Sequence, residues 1–173
     1  MEICVTIDDA VKYQGLTGAV FSPDGLYRYQ LWRMWSPNKP RVLFVGLNPS
    51  TANSNHDYPT IRRCMGFAAS WGYGGMFMGN LFGLVSPLPK ALLSARPLEH
   101  EGGHATAHLL RMAAESDRVI AAWGSWPTLN IVQARVNALR PKLPKLWCLG
   151  KNHDSSPKHP LYLPRTTTIV PFI

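Results

Sequence analysis

The sequence predicts an α/β protein: a three-layer α/β/α sandwich whose mostly parallel central sheet carries helices on both faces. The main observation is that short apolar runs alternate with segments of helical period from residue 41 onward. The second is that 173 residues with a hydrophobic fraction of 46% suffice for one domain with a full core. We therefore predict a single domain over residues 1–173, with residues 41–173 as its α/β core.

Residues 1–40 precede this alternation and are predicted to form an N-terminal extension with a β-hairpin. The segment Ser22-Pro23-Asp24-Gly25 is typical of a turn between two short extended runs. The run after it, Tyr27–Trp35, is rich in aromatic residues and partly alternates with polar ones, which indicates a strand.

The core elements follow in order along the chain. Apolar runs predict strands over Val42–Val45, Met76–Leu81, Arg118–Trp123, Leu146–Leu149 and, as a last one, Thr167–Val170. Helical spacing predicts helices over Thr60–Trp71, Pro97–Glu115 and Pro127–Leu139. Glycines 72, 74 and 75 end the first of these helices, and prolines 141 and 144 end the third.

Polar and glycine residues follow four of the predicted strands. They are the segment Gly46-Leu47-Asn48-Pro49-Ser50, then Asn80, Trp123-Gly124, and the residues from Gly150 onward. Ligand sites of open parallel sheets lie at the carboxyl ends of the strands, so we expect these residues to converge on one edge. The alternative is that they are ordinary loop residues, since such loops are generally rich in Gly, Asn and Pro.

The formal net charge of +8 favours a polyanionic partner, most simply nucleic acid, although a generic basic protein remains the alternative. The cations are scattered along the chain, so folding would have to assemble a basic face. Arg62 and Arg63 lie in the first turn of a predicted helix, where anions are favoured, and we predict that they contact phosphate together with Lys151. A solvated charged face is the alternative for the two arginines.

The cysteines and histidines argue against a metal site. Cys4, Cys64 and Cys148 share no ligand spacing and no pairing pattern, which speaks against structural zinc and a disulfide framework. A helical face repeats histidine at 100, 104 and 108 and could be a metal stripe, but without a companion ligand a surface face is favoured. We expect no metal and no cofactor.

The N-terminus gives no sign of a targeting segment. Acidic residues at positions 2, 8 and 9 interrupt it, so we predict no signal peptide. No apolar run is long enough to span a bilayer, and we predict no membrane partner and a cytoplasmic location.

Four motifs together resemble a bacterial and phage family known only as domain of unknown function 1643. They are Asn48–Ala52, the segment Asp57–Arg63 (DYPTIRR), Asn80-Leu81-Phe82 and Lys158–Leu163 (KHPLYL). The match runs from about residue 20 to the end and is specific. It implies an identity but almost no function.

A second and more distant resemblance is to the uracil-DNA glycosylase superfamily. Gly46-Leu47-Asn48-Pro49 is similar to the G-x-N-P-G motif of its mismatch-specific members, with Ser50 in place of the last glycine. Asn80 resembles the asparagine with which the superfamily reads a flipped base, and His159-Pro160 resembles its final loop. The resemblance implies a glycosylase-like core and a hydrolase that flips a base out of DNA.

The residue types suit that chemistry. Cleavage of an N-glycosidic bond builds positive character on the sugar and negative charge on the departing base. Asn48 would position the attacking water, and His159 would donate a hydrogen bond to the base; these are the predicted catalytic residues. The amide of Asn80 offers a donor and an acceptor, which suits a pyrimidine edge. The alternatives are that Asn48 is only a turn residue or helix cap, Asn80 a strand-end turn residue, and His159 a loop residue held by its own backbone.

Further residues are predicted to surround the base. Gly46 would allow close backbone approach, and Pro49 would fix the chain after Asn48. Tyr58 would stack on the base, with Phe67 as the alternative, although both are more often core residues. Asp57 would bind an amino group or cation, or simply cap a helix. The predicted substrate contacts also include Ser50 and Lys158, and Leu161 and Tyr162 are the predicted wedge into the DNA stack.

The expected function is that of a DNA glycosylase-like enzyme acting on a modified or deaminated pyrimidine. One alternative is a transferase acting on substituted pyrimidines in phage-type modified DNA, suggested by hydroxyls, an acid and a second histidine in the loop of residues 151–157. The other alternative is a nucleic-acid-binding module that has no catalytic activity.

Overall fold

The computed structural model describes residues 17–50, 57–94, 104–127 and 129–173, which form seven strands and four helices. The strands are β1 (Thr17–Phe21), β2 (Arg28–Met34), β3 (Arg41–Gly46), β4 (Gly75–Asn80), β5 (Arg118–Ala121), β6 (Leu146–Cys148) and β7 (Val170–Pro171). The helices are α1 (Pro59–Ser70), α2 (Ala91–Ser94), α3 (Ala105–Ala114) and α4 (Asn130–Leu139). Short 3₁₀ turns span Arg140–Lys142 and Pro160–Tyr162.

All seven strands belong to one mixed sheet in the order β1-β2-β4-β3-β5-β6-β7. The four central strands, β4-β3-β5-β6, are parallel, as predicted. The prediction of a mostly parallel sheet is wrong for both edges, where β1, β2 and β7 run antiparallel to their neighbours. The tight turn at Ser22–Gly25 explains the first edge, because strands joined by so short a connection can pair only antiparallel.

The N-terminal hairpin is part of the main sheet. The predicted turn is present, and Gly25 N–H donates to the Ser22 carbonyl at 2.9 Å. Strand β2 continues the sheet by pairing with β4, with Trp32 opposite Phe77. The edge of the parallel core is therefore covered by a strand from the segment that precedes the core.

Helices cover both faces of the sheet, and the alternation of side chains along β3 shows how. Val42 and Phe44 pack on the side of α1, whereas Leu43 and Val45 pack on the side of α3 and α4. Since successive residues point to opposite faces, a strand buried on both sides must be apolar throughout. This is why an uninterrupted apolar run predicted β3 correctly.

The predicted helices agree with α1, α3 and α4 apart from their ends. The helix predicted from residue 97 is seen over Ala105–Ala114, and residues 95–103 lie outside the described part of the chain. The helix predicted from residue 127 begins at Asn130, because Leu129 N–H first closes a turn onto the Trp126 carbonyl at 3.0 Å. Within the described residues, no helix has the length and apolar character that a membrane crossing requires.

The described histidines of the predicted stripe pack against strand β2. The ring of His108 stacks on Tyr29 with centroids 5.0 Å apart, and its Nδ1 lies 2.9 Å from Gln30 Nε2. His104 meets the same tyrosine edge-on at 6.0 Å. Burial lowers the pKa of His108. These contacts give the two histidines a packing role, while His100 lies outside the described residues.

The two described cysteines are core residues. Cys64 and Cys148 are both fully buried as free thiols, and burial raises the pKa of Cys64. A thiol with a raised pKa is a poor nucleophile. Cys4 lies outside the described residues.

Candidate functional site

A cavity of about 180 Å³ opens where the carboxyl ends of β3, β4 and β5 meet. Six of the residues predicted from the sequence line it together: Gly46, Asn48, Ser50, Tyr58, Asn80 and His159. They come from four separate segments of the chain. Its other polar and aromatic walls are Arg28, Thr60, Ser86, Trp123 and Trp126.

Gly46 makes room for the side chain of Asn80. The two residues are opposite each other at the ends of the parallel pair β3 and β4. A Cβ atom at position 46 would lie 2.8 Å from Asn80 Nδ2, which is closer than van der Waals contact allows. The glycine that ends the apolar run therefore lets the asparagine amide sit beside the backbone at the edge of the cavity.

The amide of Asn48 holds the neighbouring loop in place. Its Nδ2 lies 3.1 Å from the carbonyl oxygens of Leu84 and Ser86 and 3.2 Å from that of Pro49. Three carbonyls at one end of the amide identify that end as the NH₂ group. The other end of the amide is therefore the acceptor oxygen, Oδ1. The loop is also held by Ser86 N–H, which donates to the Pro49 carbonyl at 2.9 Å.

Arg28 lines the cavity and is the most important of its residues that were not predicted from the sequence. It begins β2, it is 4% exposed, and its Nη2 donates to Asn80 Oδ1 at 3.4 Å. Burial and the charge of Arg33 lower its pKa to about 10, so it stays protonated at neutral pH. Because Arg28 engages Oδ1, the Nδ2 donor of Asn80 remains on the Gly46 side. No local signal marked Arg28, since its role depends on β2 pairing beside β4.

His159 lies half-buried on another wall, just before a 3₁₀ turn. Its Nδ1 accepts a hydrogen bond from the Leu161 N–H at 3.3 Å. Burial lowers its pKa, so the ring is neutral at neutral pH. A neutral ring whose Nδ1 accepts must carry its proton on Nε2. His159 therefore presents an uncharged N–H donor.

Aromatic rings form the remaining walls. Tyr58 is 41% exposed and lines the cavity, whereas Phe67, the alternative stacking residue, is buried against Trp71 with ring centroids 5.4 Å apart. Trp123 and Trp126 also line the cavity, and the indole N–H of Trp126 donates to the Trp123 carbonyl. The sequence analysis noted Trp123 only as a strand end and missed Trp126. The sequence signal that could have identified Trp126 is the Trp-x-x-Trp spacing directly after a strand.

Asp57 forms an ion pair with Arg33, a buried side chain of β2. Its Oδ1 lies 2.7 Å from Nη2 and 2.8 Å from Nε of that arginine. Among the described residues, Asp57 is not one of those that line the cavity. Its helix has no side-chain hydrogen bond at the N-cap, which is Tyr58. The carboxylate thus neutralises a cation, but the cation is the buried Arg33 of the protein itself and not part of a ligand.

Among the described residues, the other predicted substrate and wedge residues are not part of the cavity lining. Pro49 is buried under the loop, and the Lys158 N–H donates to the Gly150 carbonyl at 2.9 Å. Leu161 and Tyr162 form the 3₁₀ turn after His159, and Tyr162 is 87% exposed. An aromatic side chain this exposed is accessible to a partner.

The three side chains predicted to contact phosphate differ in their exposure and in the contacts they already make. Arg62 is exposed, and its Nη1 donates to the Asp57 carbonyl at 2.7 Å. Arg63 donates to the Leu163 carbonyl and lies 5.5 Å from the Phe67 ring centroid. Lys151 is exposed and its Nζ donates to the Ile173 carbonyl at 3.1 Å. Arg62 and Lys151 are therefore better placed for an external anion than Arg63.

Replacing Gly46 by alanine should displace the Asn80 side chain. The new Cβ would stand 2.8 Å from Nδ2, and Asn80 is only 7% exposed, so it has little room to adjust. We expect a loss of about 1–3 kcal/mol in unfolding free energy from overpacking. The side-chain amide signals of Asn80 in an NMR spectrum should shift strongly.

Gly66→Ala is the matched control, because a Cβ there meets nothing within 4 Å. It should leave those amide signals in place. Unchanged Asn80 signals in Gly46→Ala would show that the glycine is not what admits the side chain.

Comparisons with known proteins identify the family of the chain but give no function for it. A model of a family described as a protein of unknown function, DUF1643, matches residues 28–161. Searches of curated proteins and of solved structures found no significant match. The matched range contains three of the four motifs that resembled this family in full and the beginning of the fourth, so that resemblance is confirmed. The chain belongs to the DUF1643 family of proteins of unknown function.

Proposed function

We propose that the protein processes a pyrimidine base flipped out of DNA, most simply by hydrolysing its N-glycosidic bond. The observation that carries this proposal is the meeting of Asn48, Asn80 and His159 around one small cavity with aromatic walls. The glycosylase-like three-layer core is part of the same proposal. Helices on both faces of the sheet and a site at the strand ends support it.

The size and walls of the cavity suit one flat ring. Its volume of about 180 Å³ is below the range of about 300–1,000 Å³ typical of sites for drug-sized ligands. Tyr58, Trp123 and Trp126 offer ring faces, and bases extruded from a duplex are commonly held between such faces. If a whole nucleotide bound, only its base would fit inside, and its sugar and phosphate would lie at the mouth of the cavity.

The polar groups favour a ring that carries carbonyl oxygens. Three donors surround the cavity: the guanidinium of Arg28, Nδ2 of Asn80 and Nε2–H of His159. Asn48 Oδ1 is the acceptor. Donors aimed at ring oxygens stabilise the negative charge that a departing base develops, and the positive Arg28 strengthens this effect in a buried site.

The proposed hydrolysis needs no strong base. As the bond between the sugar C1′ and the base nitrogen breaks, its electron pair leaves with the base, and a water held by Asn48 Oδ1 adds to C1′. The added water loses a proton to solvent, and the released base anion gains one. Asparagine is a poor proton acceptor, so Asn48 orients the water and a modest turnover rate is expected.

The test is detection of a released base by mass spectrometry. Purified protein is incubated with oligonucleotides that carry uracil, hydroxymethyluracil or other altered pyrimidines at one position. We expect one of these bases to appear free in solution, leaving an abasic site. Binding without any change in the base would overturn hydrolysis and favour a transferase without its co-substrate or a non-catalytic module.

Activity should stay constant as the pH falls through 6.5 and decline only at lower pH. Burial lowers the pKa of His159 below its ordinary value of 6.5, so its neutral form persists into weak acid. Protonation of Nδ1 would then break the hydrogen bond from Leu161 N–H and turn the ring. The measurement is the rate of base release between about pH 5 and pH 8.

The lowered pKa of His159 also makes the stability of the protein depend on pH. Below pH 6.5 the unfolded chain binds a proton at residue 159 more readily than the folded one, so the unfolding free energy decreases as the pH falls. His159→Gln should remove this part of the pH dependence of the unfolding free energy.

The control for the activity measurement is His153→Gln, at an exposed loop position, which should leave the pH profile of base release unchanged. An activity midpoint at or above pH 6.5 would contradict the assignment.

A further inference from the structure

A second cavity of about 430 Å³ lies directly behind the tryptophan wall of the first. Trp123 and Trp126 line both cavities. We propose that this second cavity binds the base of the nucleotide adjacent to the processed one in the same DNA strand. The inference rests on the proposed function, because it requires that a nucleotide strand reaches the first cavity.

The shared wall sets the spacing of the two cavities. The indole N–H of Trp126 donates to the Trp123 carbonyl, which fixes the ring at the boundary. Gly124, between the two tryptophans, has φ +80°, a conformation that glycine adopts without strain. Because Trp123 and Trp126 line both cavities, two neighbouring bases of one strand could occupy them on either side of this wall.

The second cavity combines an aromatic ring with positive charge. Phe172 lines it and meets Trp123 edge-on with centroids 5.6 Å apart. The charges of Arg140 and Lys151 lie 5.8 Å and 5.6 Å from the centroid of the phenylalanine ring. Aromatic rings flanked by cations are the usual means of holding single-stranded nucleic acid, since the ring stacks on a base and the cations follow the backbone.

An acid in the wall favours a base over a phosphate inside the cavity. Asp154 lines it and accepts hydrogen bonds from the Ser125 and Ser156 hydroxyls and from the Ser156 N–H at 3.0 Å. These bonds lower the pKa of Asp154, so it is negative at neutral pH and repels phosphate. The amide of Gln133 in the same wall can pair with a base edge. The phosphate would then lie at the mouth of the cavity, beside the lining residue Arg140 and beside Lys151.

The loop of residues 151–157 supplies one side of this cavity and is internally rigid. The Asn152 amide donates to Ser156 Oγ at 3.0 Å and to the Pro157 carbonyl at 3.2 Å, and Lys151 pairs with Pro157 in a β-bridge. A loop held by its own hydrogen bonds presents a preformed surface. Little ordering would then oppose the binding of a base.

The experiment measures binding of single-stranded oligonucleotides about 15 nucleotides long, each with uracil at the centre, by fluorescence anisotropy. One series lacks the base at the centre, and others lack it at one neighbouring position. We expect loss of the neighbouring base on one side to weaken binding about tenfold. Phe172→Leu should abolish that difference, whereas Val170→Ala on strand β7 should preserve it.

A second measurement guards against loss of folding in Phe172→Leu. Arg140→Ala and Lys151→Ala should each reduce the salt dependence of binding by about 0.7 in the log–log slope, as expected for one phosphate contact with a single strand. Val170→Ala should keep the slope of the natural chain.

The outcomes separate this inference from the proposed function. If the central base matters and neither neighbour does, the second cavity is not a nucleotide site, and the proposed function stands. If no oligonucleotide binds, the proposed function fails and this inference fails with it.

Discussion

Asn48→Ala is expected to reduce the rate of base release by about 10²–10³-fold, the loss typical of removing one positioned polar group from an active site. The substitution removes Oδ1, which is the acceptor proposed for the attacking water. It also removes the NH₂ group that holds the carbonyls of Leu84, Ser86 and Pro49. The measurement is single-turnover release of the base, with DNA binding recorded in parallel.

The same substitution should lower stability, and the two effects must be separated. The carbonyls left without a donor should cost about 1–3 kcal/mol in unfolding free energy. Asn152→Ala is the matched control, because Asn152 also holds a loop through its Nδ2, at 3.0 Å and 3.2 Å from its acceptors, and it lies outside the wall of the first cavity. If Asn48→Ala loses no more activity than Asn152→Ala, Asn48 serves the loop and not the chemistry.

Asp57→Ala is expected to destabilise the protein by about 2–4 kcal/mol. The side chain of Arg33 is 2% exposed and that of Asp57 30%, so removal of the carboxylate leaves a buried cation without its neutralising charge. Because water reaches Asp57, we expect less than the full loss for a deeply buried pair. The measurement is urea unfolding at neutral pH, where a lower midpoint at an unchanged slope reports the loss.

Two further variants make this prediction specific. Glu115→Ala removes a partly exposed pair, Arg111–Glu115 at 3.2 Å, and should cost about 0.5 kcal/mol or less. Asp57→Ala combined with Arg33→Met should recover part of the stability, because the buried charge is removed as well. Equal losses in Asp57→Ala and Glu115→Ala would contradict a structural role of the Asp57 carboxylate.

The prediction of the core elements depended on signals that are local. An apolar run of strand length predicts a strand whichever strands it pairs with. Such runs predicted β3 to β6. The same holds for α1, whose buried residues Ile61, Cys64, Phe67 and Ala68 recur at helical spacing. Where the local signal was weak, at the first turns of α3 and α4, the predicted boundaries were off by several residues or extended beyond the described part of the chain.

One topological rule predicts which residues line the first cavity, but only some of them. Residues after parallel strands share an edge, which predicts that Gly46, Asn48 and Asn80 meet there. His159 is predicted from the resemblance to the uracil-DNA glycosylase superfamily. The rule says nothing about residues that reach the edge from an antiparallel strand. Arg28 enters the cavity from β2 in this way, and its partner Asn80 lies 52 positions further along the chain.

The sequence by itself determined the α/β class, the order of the core strands and helices along the chain, and the polar residues that end the strands. Only the tertiary structure decided that β2 lies against β4, that Asp57 neutralises Arg33, and that the Asn48 amide is engaged by three carbonyls. The physical reason is the range of the interactions. Period and turn chemistry act between residues close in sequence, whereas strand pairing and buried charges are settled by the free energy of the whole fold.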